Sequence, residues 1–376
     1  MKYMGSKRTM LGNGLGELLD TEMPAAKRFA DLFTGSAAVA IHVACRHDLP
    51  VLAFDLQNYS SVLAGAIIKR KEFLPPECLF KDWQQRAKAL INDLKIPESS
   101  RISIKCVTEC RKWCADQDSL PITVAYGGHY FSPEQAVWID ALRASLPESD
   151  PERTVALAAL IQAASQCAAA PGHTAQPFQP TKTAKKFLLE AWNRDVVAKT
   201  RAVFELLAKQ AAKQVGSTKV SDAEEAAHGL KEGDLAFIDP PYSGVQYSRF
   251  YHVLETISNG SCGDVSGIGR YPDTQLRPKS KFSLISESEV ALDSLLKTVS
   301  SRGAKAILTF PDHECSNGLS GEIVREVASK HFTVGGGKVD SQFSTLGGTS
   351  DKKRKSEAAR AARQHAKELV LVLVPK

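Results

Sequence analysis

The 376-residue chain has no stretch approaching the roughly 18–20 apolar residues needed to span a bilayer. Its opening Met1-Lys2-Tyr3-Met4-Gly5-Ser6-Lys7-Arg8 is basic but has no apolar core behind it, so no secretory leader is expected. Gly5 is not at the second position, which excludes a myristoylation signal. No internal repeat is visible. The eight cysteines lack the two-pair arrangement of structural zinc. Cys106, Cys110 and Cys114 stand four apart, and only His129 and distant cysteines could complete a set. That spacing marks one face of a helix, so the thiols are expected to pack inward and to bind no metal. Free thiols suit a reducing compartment, and the expected location is cytoplasmic. Charge is not one-sided either: 48 basic residues face 42 acidic ones, and the net charge of +6 favours an anionic partner only weakly. Local placement says more, because basic residues concentrate at 2–8, 182–186, 270–281 and 352–367.

What is present is organised around Leu235-Ala236-Phe237-Ile238-Asp239-Pro240-Pro241-Tyr242. Residues 235–238 read as a buried strand, entered from the turn-like Glu232-Gly233-Asp234. Two prolines lack N–H groups and cannot continue a central strand. Asp239 and Tyr242 are therefore expected at a strand's carboxyl end, where open α/β sheets bind ligands. An acid, two carbonyls and an aromatic ring form a socket for a flat molecule carrying an amino group.

Upstream, residues 30–33 form a short strand containing Asp31, followed by the turn Thr34-Gly35-Ser36 and an apolar helix over 37–45. A second strand over 51–54 ends at Asp55, about 20 residues beyond the turn, where dinucleotide-type folds place an acid on the ribose hydroxyls. Together these predict a cofactor site with adenosine character. From about 60 to 230 the alternation gives way to helix patterns near 61–71, 83–94, 133–145, 152–169 and 184–214. This predicts a mainly helical insertion at 59–230 in a discontinuous domain made of 1–58 and 231–376. The proline-rich 171–180 reads either as an ordered loop near the site or as a plain surface connection.

Tyr247, Tyr251 and Glu255 are spaced for one helical face. Residues 260–281, rich in glycine and basic groups, read as a flexible surface segment or lid. A helix over 287–301, a strand over 304–310, a helix over 320–330 and short strands at 332–335 and 368–374 follow, the last two suited to an antiparallel sheet edge. Between them an Ala-rich helix is expected over 356–367. Arg360, Arg363 and Lys367 would share one of its faces, for phosphate contact or simply for solvation.

These parts, in this order, resemble the Dam-like (D12 class) adenine-specific DNA N6-methyltransferases: Lys2-Tyr3-Met4-Gly5-Ser6-Lys7, Asp31-Leu32-Phe33-Thr34-Gly35-Ser36, Asp55 and Asp239-Pro240-Pro241-Tyr242. Tyr247-Ser248-Arg249-Phe250-Tyr251-His252 is similar to the same family's modification methylases. The resemblance implies a Rossmann-like α/β methyltransferase sheet and S-adenosyl-L-methionine as cofactor. It places target recognition in the insertion. It further implies that Tyr3, Gly5, Ser6 and Lys7 lie under the cofactor's methionine part, that Asp31 faces its amino group, that Phe33, Gly35 and Ser36 form the turn it crosses, and that Asp55 holds its ribose. The family's turn often ends in glycine where this chain has Ala37. A methyl group is tolerable there if that residue has helical dihedrals.

On the same resemblance, Asp239 and the Pro240 carbonyl accept the two N–H bonds of adenine N6, with Asp239 acting as an orienting acceptor rather than a base of raised pKa. Pro241 and Tyr242 complete the socket, and Tyr242 stacks on a base flipped out of the duplex. Double-stranded DNA is the expected partner, with Tyr247, Arg249, Tyr251, His252, Lys279, Lys281, Lys353, Arg354, Arg360 and Arg363 as candidate contacts. A cognate nuclease or other defence-system proteins could accompany it. RNA adenine as target, or a catalytically silent nucleic-acid-binding relative, are the alternatives.

Overall fold

The computed structural model describes residues 7–99, 101–344 and 363–376, which divide into two compact units. One unit is built on a seven-stranded sheet. Its chain segments run up to Leu56, from Lys219 to Tyr247 and from Lys279 onward. In chain order its strands are β1 (Arg28–Asp31), β2 (Val51–Asp55), β3 (Ser217–Val220) and β4 (Asp234–Ile238), followed, after two short strands of the other unit, β5 (Val265–Ser266) and β6 (Tyr271–Pro272), by β7 (Lys305–Pro311), β8 (Phe332–Ser344) and β9 (Arg363–Pro375). The spatial order is β3-β2-β1-β4-β7-β9-β8. β1, β2, β4 and β7 are mutually parallel, and β9 runs antiparallel to both β7 and β8. This is the expected α/β methyltransferase-type sheet with an antiparallel edge.

The strands are where their composition puts them. All five residues of β4 are buried, as a strand covered on both faces requires. Phe237 stacks on Phe29 of β1 with ring centroids 6.4 Å apart. Such fully buried side chains stabilise by about 1.5–3 kcal/mol each. Helix Ala38–Arg46 buries Val39, Ala40, Val43 and Ala44, one stripe at helical spacing. Helices Ser288–Ser301 and Gly321–His331 do the same with Leu292, Leu295, Leu296 and Val299, and with Val324, Val327 and Ala328.

The second unit, Gln57–Thr218 with Ser248–Pro278, is mainly helical. The expected insertion ended at 230, whereas here Ser248–Pro278 joins the helices, and Ser217–Val220 forms a sheet strand within the range read as helical. Helix Pro133–Ala144 starts on a full capping box, Ser132 with Gln135. Trp83, on helix Pro76–Ile91, is buried and donates its indole N–H to Leu142 O at 2.8 Å. Cys110 and Cys114 are buried on helix Ile104–Ala115, the inward face that their spacing predicts.

Four expectations are corrected. The single helix over 184–214 is two, Lys185–Trp192 and Val196–Ala208, because Asp195 caps the second by accepting from Ala198 N at 2.9 Å. The segment 260–281, expected as a flexible surface segment or lid, is tied down at its middle within the helical unit: Arg270 donates to Ala125 O and Val124 O at 2.8 and 2.9 Å, and Tyr130 Oη donates to Gly269 O at 2.9 Å. Tyr247, Tyr251 and Glu255 do not share one helical face, because helix Tyr247–Asn259 is broken at Tyr251 (φ −130°). Residues 363–367 lie in β9 and not in a helix; the rest of that expected helix falls outside the described residues.

Candidate active site

The carboxyl ends of β1, β2 and β4 carry Asp31, Asp55 and Asp239, so the sheet itself collects three acids. After β1 the chain turns through Thr34 to Ala37. Thr34 N donates to Phe54 O at 3.0 Å, Gly35 N to Asp55 Oδ2 at 2.8 Å and Ala37 N to Thr34 O at 2.8 Å. Asp55 thus anchors the turn through the Gly35 amide. Gly35 has φ +51°, and Ala37 is also left-handed, with φ 60° and ψ 16°. The condition under which a methyl group would be free of cost there is not met. A non-glycine residue in that conformation carries about 1–2 kcal/mol of strain.

Asp31 is 2% exposed. Burial, with Asp239 and Asp55 nearby, pushes its carboxyl up to about 8, although Phe33 N donates to it at 3.3 Å. Among the described residues no cation pairs with it. Phe33 packs edge-on against Phe282, with ring centroids 5.1 Å apart.

Asp239 is held on one edge. Lys7 Nζ lies 2.9 Å from its Oδ1, and Thr309 Oγ1 donates to the same oxygen at 2.9 Å. Among the described residues no donor falls on Oδ2. Lys7 also pairs with Glu368 Oε1 on β9. Burial alone would lower the Lys7 pKa, but the two carboxylates outweigh it and hold it well above the usual lysine value. Burial pushes Asp239 up to about 6, with Glu368 adding to the rise and Lys7 and Thr309 opposing it. Asp239 is therefore a carboxylate of raised pKa, contrary to the expectation of an unshifted acceptor.

The two proline carbonyls differ. Pro241 O accepts from Asn317 Nδ2 at 2.8 Å, whereas no donor among the described residues falls on Pro240 O. Asn317, fully buried, also donates to Phe282 O at 3.0 Å and accepts from Leu319 N at 3.3 Å. Behind the same loop, Gly244 N donates to Ser316 Oγ at 2.9 Å, and a side chain at Gly244 would collide with Ser316 O. Tyr242 is half-buried, edge-on to Tyr247 at 6.5 Å.

The sheet unit thus brings together Lys7, Asp31, Phe33, Gly35, Ser36, Asp55, Asp239, Pro240, Pro241 and Tyr242. Tyr3, Gly5, Ser6, Lys353, Arg354 and Arg360 lie outside the described residues, and Arg363 is placed only as backbone in β9. Lys279 and Lys281 are exposed in the sheet unit, and Arg249 is exposed in the helical unit, over the Tyr271 ring at 4.8 Å. Tyr251 and His252 are buried in the helical unit and are not surface contacts. The two ring nitrogens of His252 face Arg249 O and Gly269 O, and Tyr251 packs on Tyr59. Sequence reasoning missed Thr309, Asn317 and Glu368. A threonine inside the apolar run 306–310 was a visible signal for the first.

Comparison with known proteins places this geometry. The profile of the D12 class N6 adenine-specific DNA methyltransferase family matches residues 3–99 and 169–309, more than half of the chain. The modification methylase LlaI of Lactococcus lactis subsp. lactis is 23% identical over 296 residues, covering 75% of this chain and 41% of that protein. The chain therefore spans less than half the length of that relative. The type II methyltransferase M.CviAII of Paramecium bursaria Chlorella virus 1 is 26% identical over 313 residues, 80% of each chain. With its strand-end acids, its Asp-Pro-Pro-Tyr loop and this family match, the chain belongs to the D12 class of N6 adenine-specific DNA methyltransferases.

Proposed function

We propose that this protein transfers a methyl group from S-adenosyl-L-methionine to the N6 amine of an adenine flipped out of double-stranded DNA, within a specific sequence. The names of the two relatives, a modification methylase and a type II methyltransferase, support a role as a modification methylase of a restriction or defence system, or as a solitary methylase. The observation that carries the reading is the state of Asp239 and its neighbour: two donors fall on Asp239 Oδ1, and among the described residues none falls on Oδ2 or on the Pro240 carbonyl.

The residues present fit the cofactor. A buried Asp31 with a strongly raised pKa, close to Asp55 and Asp239, is relieved by a cationic ligand, and the donor bears both an ammonium and a sulfonium. Asp31, Phe33, Gly35, Ser36 and Asp55 would hold it, with Lys7 and the residues before it. When bound, it supplies a methyl group already activated by the positive sulfur.

The chain's own residues supply the rest. Adenine N6 is conjugated with its ring and is a weak nucleophile. Asp239 Oδ2 and Pro240 O accept its two N–H bonds, which favours a pyramidal nitrogen with an available lone pair and aims it. Tyr242 offers a stacking face for the flipped base. When the N–C bond has formed, the nitrogen is cationic and sheds a proton, and Asp239, with its pKa near 6, can hold that proton before water removes it. The exposed Lys279 and Lys281 suit phosphate contacts.

The test is to incubate the protein with methyl-labelled S-adenosylmethionine and, separately, duplex DNA, structured RNA and protein. Label in N6-methyladenine of DNA is expected. Asp239→Ala should abolish transfer while cofactor binding persists in calorimetry. Label appearing only in RNA or protein refutes the DNA reading, and tight DNA binding without any transfer favours a silent relative.

A further inference from the structure

Glu368 lies outside both segments matched by the family profile, yet it reaches the centre of the site. It stands on β9 opposite Pro311, the last residue of β7, and its carboxylate pairs with the Lys7 ammonium that also contacts Asp239. The three side chains are 9%, 5% and 17% exposed, respectively. Two carboxylates around one ammonium leave the buried cluster with a formal charge of −1.

Such a cluster is a poor stabilising device, because apolar residues of similar volume often serve a core as well or better. Its geometry suits another purpose. A lysine carries three rotatable donors on a flexible stem. Paired with Asp239 alone, it would neutralise that carboxylate and be free to swing onto Oδ2. With Glu368 also bound to it, the ammonium is held on Asp239 Oδ1, where Thr309 Oγ1 also donates.

We propose that Glu368 is a positioning residue for methyl transfer: by sharing the Lys7 ammonium it keeps Asp239 Oδ2 open to the adenine amine and leaves a net negative charge facing the nitrogen. This rests on the function proposed above. As the N–C bond forms and the S–C bond breaks, positive charge passes from sulfur to nitrogen, and preorganised negative charge beside the nitrogen stabilises that transfer.

The experiment compares Glu368→Gln and Glu368→Asp with wild type. It measures kcat on saturating duplex DNA from about pH 5 to 9, cofactor Kd by calorimetry, and thermal melting. The groups facing Asp239 are Lys7, Glu368, Asp31 and Tyr242, with Cys315 next to Glu368. A nearby anion raises a carboxyl pKa, so removing the Glu368 charge moves the acid limb of the profile to lower pH, by about one unit. Glu368→Gln should lose about ten- to a hundred-fold in kcat with cofactor Kd within about threefold. Glu368→Asp should keep the limb in place and recover most of the rate. Wild-type kcat and an unmoved limb in Glu368→Gln overturn the proposal. So does a lower kcat with an unmoved limb and no recovery in Glu368→Asp, which marks a merely structural pair. Both outcomes leave the methyltransferase reading standing. A wild type that methylates no adenine in DNA removes that reading and this role with it.

Discussion

Asn317 tests the site's construction directly. Its buried amide donates to Pro241 O and Phe282 O and accepts from Leu319 N, so Asn317→Ala removes three hydrogen bonds and strands buried acceptors. At about 1 kcal/mol net per bond the loss is about 3 kcal/mol. For a unit of this size that lowers Tm by about 6–12 °C. Asn317→Asp is nearly isosteric but turns a donor into an oxygen facing two carbonyls, so it should be less stable than the alanine variant, despite filling the space. The assay is urea and thermal unfolding by circular dichroism at neutral pH without ligands. Methyl transfer should fall at least about tenfold, because the Asp239–Tyr242 loop loses its tether. An alanine variant within about 1 kcal/mol of wild type, or an aspartate variant equal to wild type, refutes the reasoning.

Substitutions at two further positions probe the cofactor half. Asp31 has a folded pKa of about 8 against an ordinary value of 3.8, so the protonated form is favoured in the fold. Its contribution is fully present below about pH 3.8 and is lost as pH rises through about 8. Asp31→Asn, which never ionises, should therefore gain stability relative to wild type as pH rises across that window and level off above it. Ligand-free melts at successive pH values check this, and a constant difference contradicts it. At Ala37 (φ 60°), glycine relieves about 1–2 kcal/mol of strain. It gives up about 0.8 kcal/mol of methyl burial and about 0.4–1 kcal/mol of chain entropy. Ala37→Gly should therefore stay within about 1 kcal/mol of wild type, whereas the β-branched Ala37→Val should lose at least about 2 kcal/mol. Equal melting of the valine and glycine variants refutes the left-handed assignment.

Much of the sheet was legible because its central strands are short apolar runs that end in acids or prolines, as β1, β2, β4 and β7 do. β3 was not: Ser-Thr-Lys-Val at an edge, mostly exposed, has neither an apolar run nor alternation. The strands β8 and β9 were placed but read too short, since their outer halves pair with each other and have no apolar run to mark them. At the site, residues within one motif could be found, because Asp31, Asp55 and Asp239 announce themselves by following strands. Glu368 could not, since its relevance depends on which strand lies beside β7, and strand order is not written in any local pattern. The kink at Tyr251 likewise escaped a spacing argument that assumes an unbroken helix.

The sheet order has a temporal side. β9 follows β8 along the chain, yet it is laid between β7 and β8 rather than at the edge. On a growing polypeptide, Lys7 and Asp239 emerge well before Glu368, which stands 361 residues after Lys7. Contacts of such sequence separation close slowly, and domains tend to organise as they are synthesised. The nascent sheet must therefore keep the seam between β7 and β8 open until residues 363–375 arrive. Charge balance in the pocket then waits for residue 368, and a chain interrupted before it would have the aspartate and the lysine facing each other without the second carboxylate.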